Sequence, residues 1–161
     1  MANALTTLRT KIWAVLDADT EITRLLRGGS KIKWAAGLRA KLKVEPAMCP
    51  ILTMGPASMK VPALKDGGHD SRSEWRYRLV FEAFTGGQDV SDAEEIVHRV
   101  IEVLASEFPF GLGSTTAGYD RPHFLHAMEF PEATFDVQPD EKTKNPIWLA
   151  TLIAEARYRI T

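Results

Sequence analysis

The sequence predicts an α+β fold, a mostly antiparallel sheet of about four to five strands with two main helices packed on one face. Two stretches support this prediction. Residues 74–107 alternate in hydrophobicity as a strand does and then change to the spacing of a helix. Residues 148–160 alternate again, and no helical pattern follows them. A chain that closes on strands, rather than on repeated strand–helix units, favours antiparallel pairing.

The strand of the central stretch is predicted over residues 74–84. The members of its apolar parity are Trp75, Tyr77, Leu79, Phe81 and Ala83. The opposite parity holds three charged and two apolar residues: Arg76, Arg78, Glu82, Val80 and Phe84. This alternation predicts one buried face and one face mostly in water.

A helix is predicted over residues 91–107, after Gly86 and Gly87 break the strand pattern. Ser91 and Glu94 have the spacing of a capping box, in which each side chain accepts a hydrogen bond from an otherwise unpaired backbone N–H. The apolar residues of this helix recur at three- and four-residue steps: Ile96, Val97, Val100, Ile101, Val103 and Leu104.

The amino-terminal segment predicts a bent helical arm. Residues 4–17 have amphipathic helical spacing. Asp19 or Thr20 is predicted to cap a short second helix. Gly28 and Gly29 are predicted to end it, because glycine is common just past a helix terminus.

The remaining strands are shorter or less regular. Residues 51–54 predict a strand that Gly55-Pro56 closes, and residues 57–73 predict a long loop or a protruding hairpin. Residues 124–137 predict an extended segment, with Pro131 at a bulge or an edge. The carboxy-terminal strand is expected to pair with 74–84 or with 124–137. Residues 30–48 fit either a short basic helix or a strand edge.

Length and composition indicate one soluble domain over residues 1–161. The chain is 45% hydrophobic and 25% charged, with a formal net charge of −1. Cys49 is the single cysteine, which excludes an internal disulfide framework. No apolar run of about 18 residues occurs, so no membrane span is expected. The first residues lack the pattern of a signal peptide, which favours synthesis in the cytoplasm.

Charge is divided unevenly along the chain. Residues 1–80 carry a net charge of +7 and residues 81–161 a net charge of −8. Seven basic residues and no acidic one lie between Glu21 and Glu45: Arg24, Arg27, Lys31, Lys33, Arg39, Lys41 and Lys43. This distribution indicates either a positive and a negative face on one molecule or charges that intermix in the fold.

The residues that commonly carry chemistry show no supporting pattern. His123 and His126 would point to opposite faces of a strand, and Cys49 and His69 are isolated. His98 falls on the predicted helix 91–107, next to its buried face. We therefore expect no metal or other cofactor. Neither a nucleophile motif nor a phosphate-binding glycine loop is present, and the carboxylates are dispersed. An enzyme is not expected.

The basic stretch 24–43 has three interpretations. It could contact nucleic acid by neutralising phosphates. It could be an ordinary solvated face. It could also meet the acidic half of a neighbouring copy, because heterologous contacts need two different complementary patches on each chain and close into rings when the rotation allows. We favour the third interpretation, since the acidic counterpart lies in the same chain.

Several segments resemble the tail completion (tail terminator) proteins of long-tailed bacteriophages, the group that includes minor tail protein U of lambda-like phages. One is the arm ALTTLRTKIWAVLDADTEITRLLRGG at 4–29. Another is the strand CPILTMG at 49–55. The third is the strand, turn and capped helix WRYRLVFEAFTGGQDVSDAEEIVHRVIEVL at 75–104, and the terminal strand ARYRI at 156–160 completes the pattern.

This resemblance implies a non-enzymatic virion protein at the head-proximal end of the tail, present in the host cytoplasm during assembly. Such proteins form a ring, expected to be a hexamer, that stops growth of the tail tube and offers a surface to the neck. The implied partners are further copies of the chain, the tail tube protein, a neck or head-completion protein, and a sheath protein if the tail is contractile. No membrane partner is expected.

Charge and loop length suggest which residues of such a protein make its contacts. The basic stretch would face a neighbouring subunit, and the loops 57–73 and 138–146 would reach the tube or the neck. The candidate interface residues are Arg24, Arg27, Lys31, Lys33, Arg39, Lys41, Lys43, Lys65, Asp66, Asp70, Arg72, Asp140 and Glu141. Two alternatives stay open, another neck or head–tail joining protein and a small nucleic-acid-binding module.

Overall fold

The computed structural model describes residues 4–27, 31–32, 49–60, 74–86, 90–107, 123–139 and 146–160. These residues form three helices and five strands. The helices are α1 (Ala4–Ala18), α2 (Thr20–Leu25) and α3 (Ser91–Glu107). The strands are β1 (Lys31–Ile32), β2 (Ile51–Lys60), β3 (Glu74–Gly86), β4 (His123–Pro139) and β5 (Pro146–Ile160).

The strands form one sheet in the order β1-β2-β3-β5-β4. Every pair is antiparallel except β1 with β2, which is parallel and two residues long. The carboxy-terminal strand pairs with both candidates named by the sequence, since Phe81 lies opposite Leu152 and Ala133 lies opposite the same leucine. The predicted α+β class and the mostly antiparallel sheet are confirmed.

The helices cover one face of the sheet and enclose the core. The apolar parity of β3 points into this core, and Phe81 is 1% exposed. The largest fully buried side chains of the helical layer are Ile12, Leu16, Ile22, Leu26, Ile96 and Leu104. Burial of each such side chain stabilises the fold by roughly 1.5–3 kcal/mol, so the packing of the helices on the sheet contributes substantially to the stability of the domain.

Strand β2 is longer than the sequence predicts. It continues through Gly55 and Pro56 to Lys60, with an irregularity in register between Pro56 and Ser58. Proline is tolerated at edges and bulges of a sheet. Because β1 pairs only with Leu52 and Thr53, the outer side of β2 has no described partner strand at Pro56. The prediction that Gly55-Pro56 closes this strand is therefore wrong. Of the two predictions for residues 57–73, the hairpin and not the loop fits residues 57–60, and residues 61–73 lie outside the described part of the chain.

The helix termini agree with prediction in one case and differ in the other. The Asp19 carboxylate accepts a hydrogen bond from the Ile22 backbone N–H at 2.9 Å, which confirms Asp19 as the cap of α2. In α3 the Val90 carbonyl accepts from the Glu94 N–H at 3.0 Å. Ser91 is thus the first residue of the helix rather than the residue before it, which moves the cap predicted at Ser91 by one position.

The face of the sheet opposite the helices is more buried than the alternation in β3 predicts. Ile51, Ile147 and Leu149 lie on this face and are at most 6% exposed. Glu82, predicted to face water, is 4% exposed. The alternation in β3 alone did not predict this burial, because the apolar residues of this face lie mostly on β2 and β5.

Candidate interaction surfaces

A groove of about 730 Å³ lies between α2, α3 and strand β4. Its apolar lining comes from all three elements: Leu25, Val97, Ile101, Ala133 and Phe135. Ala133 and Phe135 alternate along β4 on the face that carries the helices, and Val97 and Ile101 are one turn apart on α3. The groove is therefore a consequence of β4 extending the sheet beyond the area that α3 covers.

Carboxylates surround this groove. Four glutamates line it, namely Glu21, Glu94, Glu95 and Glu102. The cationic Arg99 and the imidazole of His98 also line it, and both lie within 3.4 Å of Glu102. Together α3 and β4 contain eight acidic residues and a single arginine, a net charge of −7. Most of the acidic residues of residues 81–161 thus lie in these two elements. We call the groove between α2, α3 and β4 the acidic groove.

Strand β4 also presents exposed apolar side chains. Phe135 is 41% and Val137 is 49% exposed, and Met59 is the third large exposed hydrophobic residue in the described part of the chain. Strand β4 is the outermost strand on its side of the described sheet. Exposed apolar residues on an edge strand are typical of a surface that contacts another protein.

An ion-pair network joins α3 to Asp19, the cap of α2, and its Arg99 also lines the groove. Arg99 of α3 donates through Nη2 to Asp19 Oδ1 at 2.7 Å and through Nε to Asp19 Oδ2 at 3.0 Å. Its Nη1 donates to Glu102 at 3.2 Å. These hydrogen bonds raise the pKa of Arg99, so the guanidinium stays charged at all ordinary pH. The bidentate pair fixes the position of α2 against α3.

Three arginines converge on one carboxylate on the opposite face of the sheet. The Glu155 side chain is 6% exposed, and its oxygens lie 2.9 Å from Arg78, 3.5 Å from Arg157 and 3.9 Å from Arg76. Burial acts to raise the pKa of Glu155, but the hydrogen bond from Arg78 and the three positive charges outweigh it and lower the pKa. Arg157 also pairs with Glu129 at 3.0 Å. This cluster is a charged junction of β3, β5 and β4.

The described residues include no site with the features of a metal or catalytic centre. No group of three His, Cys, Asp or Glu side chains within the described ranges could hold a metal ion. A second cavity, of about 620 Å³, lies between α1 and α3 and is lined mostly by charged and small residues. Burial raises the pKa of the half-buried Cys49 thiol, which disfavours a nucleophilic role. None of the helices that the structure describes is long and apolar enough for a membrane span.

The predicted interface residues are described only in part. Arg24 is exposed and pairs with Glu21, and these hydrogen bonds raise the pKa of Arg24 and lower that of Glu21. Arg27 is exposed and lies 3.4 Å from Asp92. The backbone of Lys31 begins β1. The other predicted residues lie outside the described residues: Lys33, Arg39, Lys41, Lys43, Lys65, Asp66, Asp70, Arg72, Asp140 and Glu141.

Sequence reasoning found the acidic half of the chain but not the acidic groove itself. The sequence signal was present in residues 123–139, which hold three carboxylates and no lysine or arginine. What the sequence could not provide was the packing of β4 beside α3, which brings distant carboxylates together. Phe135 and Val137 were likewise indistinguishable from core residues, because alternation alone does not tell which strand lies at the edge.

The fold is shared with a solved structure described as "Virion of native gene transfer agent (GTA) particle". One chain of that structure matches with a TM-score of 0.62 and 15% sequence identity, over 99% of this chain and 99% of that chain. At this identity the similarity establishes the fold alone. No protein-family model matches the sequence, and no curated protein does.

Proposed function

We propose that this chain is a structural protein of a phage-type virion that caps the head-proximal end of the tail tube as a ring. In this proposal the ring is a hexamer that ends polymerisation of the tube and provides the surface for head joining. The partners are other copies of the chain, the tail tube protein, a neck or head-completion protein and, in a contractile tail, the sheath protein.

One observation carries the proposal. The whole chain, and not a fragment of it, has the fold of a whole chain from a gene transfer agent virion, which is a phage-like particle. The segments that resemble tail completion proteins include α1, α2 and the β3–α3 unit, which together build the core of the domain. The sequence resemblance and the fold comparison both support a structural protein of a phage-like virion.

The physical basis of capping is complementarity on one side only. A ring whose lower face matches the growing end of the tube, and whose upper face does not, removes the site at which the next tube ring would bind. Heterologous contacts between identical subunits close such a ring without leaving free ends. The opposite charges of the acidic groove and the basic stretch 24–43 support a contact of this kind.

The proposed role requires no catalysis. The ion pairs of Arg99 with Asp19 and of Glu155 with its three arginines join neighbouring structural elements. Groups in such networks have shifted pKa values for structural reasons, and these shifts do not by themselves indicate an active site. We therefore propose that the chain acts through its surfaces and not as an enzyme.

The decisive experiment measures tail length in a phage or prophage from which this gene is deleted. Negative-stain electron microscopy of the lysates is expected to show overlong, irregular tubes without heads. Complementation with the wild-type gene is expected to restore a uniform length. Tails of normal length that fail to join heads would move the protein to the joining step and would end the capping mechanism.

A nucleic-acid-binding role is tested separately with the purified protein. Binding through the basic stretch would shift the mobility of a DNA duplex and would weaken steeply as salt is raised. The capping proposal expects no such shift at physiological salt. Arg24 and Arg27, the two cations of the stretch whose side chains are described, are both paired with acidic residues of their own chain, which reduces their availability to phosphates.

A further inference from the structure

We propose that the acidic groove between α2, α3 and β4 receives the basic stretch of a second copy of this chain, from Lys31 onwards. This inference rests on the proposed ring and names the two surfaces that close it. The groove supplies an apolar floor and a carboxylate rim, and the stretch supplies cations with Trp34 and Leu38 among them.

The groove has the character of a docking surface for a cationic segment. Its floor includes the exposed ring of Phe135, which loses contact with water only when another group covers it. On its rim, Glu94 and Glu95 form no ion pair with any residue that the structure describes, whereas Glu21 and Glu102 do. The rim therefore retains negative charge for an incoming cation.

The chain itself contains a segment of matching chemistry. Five of the seven cations of the basic stretch follow α2, namely Lys31, Lys33, Arg39, Lys41 and Lys43. No acidic residue lies between Glu21 and Glu45. Two patches of opposite charge on one chain favour head-to-tail association of identical copies, in which the basic patch of each copy contacts the acidic patch of the next.

Lys31, where the proposed segment begins, lies far from the β4 side of the groove, although α2, which precedes it in the chain, lines the groove as well. Lys31 enters the sheet in β1, and the groove is bounded by β4, at the other end of the strand order. Four strand spacings separate these strands, roughly 19 Å at about 4.8 Å each. We assign the groove to a second copy because the proposed ring needs each chain to give one patch and to receive the other.

Charge reversal tests this pairing directly. The groove variant is Glu94→Lys with Glu95→Lys, and the basic-stretch variant is Lys31→Glu, Lys33→Glu, Lys41→Glu and Lys43→Glu. The matched control is Glu107→Lys, an exposed position of α3 that does not line the groove. Sedimentation velocity or mass photometry measures self-association, and circular dichroism checks the helix content of every variant.

Each reversal alone is expected to weaken self-association by about tenfold or more, and the control is expected to behave as wild type. A chain that carries both reversals is expected to recover assembly, because the swapped charges again attract. If the groove variant loses helix content, Phe135→Asn provides the same test through the apolar floor, because Phe135 is 41% exposed.

The outcomes separate this inference from the proposed function. A ring that forms equally well from the groove variant, or a loss that the doubly reversed chain does not recover, overturns the pairing and leaves the ring intact. A wild-type chain that stays monomeric even on isolated tail tubes overturns the ring itself. Self-association that is abolished by each reversal and restored by their combination establishes the pairing.

Discussion

The carboxylate of Asp19 bonds to two different helices at once. Its Oδ2 accepts the Ile22 N–H that begins α2, at 2.9 Å, and both of its oxygens accept from the guanidinium of Arg99 on α3. One side chain therefore caps a short helix and attaches it to the helix that lines the acidic groove. A six-residue helix has little stability of its own, so its position depends on contacts of this kind.

Substitutions at Asp19 are expected to separate these two roles. Asp19→Asn keeps a capping oxygen and loses the charge, whereas Asp19→Ala loses both. Urea denaturation should rank the free energies of unfolding as wild type, then Asn, then Ala, with about 0.5–2 kcal/mol assigned to the cap. Combining each change with Arg99→Ala completes a double-mutant cycle. Equal stabilities of the Asn and Ala variants would show that the cap contributes nothing.

The stability contributed by Glu155 is expected to depend on pH. Because the folded state lowers its pKa, the carboxylate stabilises the fold above its ordinary pKa of about 4.5, and this contribution is lost as the pH falls through the folded-state pKa. Glu155→Gln should therefore destabilise the protein at pH 7 by about 1–2 kcal/mol, and the difference from wild type should shrink in acid.

Glu129→Gln is the matched control for that experiment. Glu129 shares the partner Arg157 but is 48% exposed, so a smaller effect is expected at pH 7. Denaturation curves recorded from pH 7 down to pH 3 give both comparisons. A Glu155→Gln deficit that stayed constant over this range would exclude ionisation of Glu155 as its source.

Two phenylalanines on the same face of the sheet are expected to behave in opposite ways. Phe81 is 1% exposed, and Phe81→Ala should lower the free energy of unfolding by about 3–5 kcal/mol. Phe135 is 41% exposed, and Phe135→Ala should change that free energy by less than about 0.5 kcal/mol while it weakens self-association. Chemical denaturation and sedimentation velocity measure the two effects. A large loss of stability in Phe135→Ala would mean that this ring belongs to the core.

The thiol of Cys49 is expected to react slowly in the folded protein. Its raised pKa reduces the thiolate fraction near neutral pH, and the side chain is half-buried. Alkylation by iodoacetamide at pH 8 should be about tenfold or more slower in the native protein than in guanidinium. Mass spectrometry of timed samples gives both rates. Equal rates would show that the thiol is open to solvent and unperturbed.

The sequence predicted the helices and the two central strands because their patterns are long and regular. Alternation over residues 74–84 and helical spacing over 4–17 and 91–107 each leave one arrangement that buries the apolar side. The extension of β2 past Pro56 was not predictable in the same way. Proline ends most strands, but here it lies at an irregularity in the register of β2 with β3, a position at which a sheet tolerates it.

The acidic groove illustrates a different limit. Its carboxylates lie on α2 and α3 and its exposed aromatic ring on β4, so no local pattern connects them. The sequence predicted the negative charge of the second half of the chain but not its concentration beside α3. The burial of Glu82, which lies between Thr53 and Thr151 in the sheet, was also not predictable from the alternation in β3.

Pro131 has a consequence for how copies of the chain meet. It lies within a break in the pairing of β4 with β5, between Glu129 and Glu132, in the outermost described strand. Proline offers no N–H to an incoming strand, so the β4 strands of two molecules could not pair by backbone hydrogen bonds along their whole length. A protein with the proposed capping role should not itself nucleate a fibre. A proline in the middle of β4 disfavours that route and leaves association between copies to side chains.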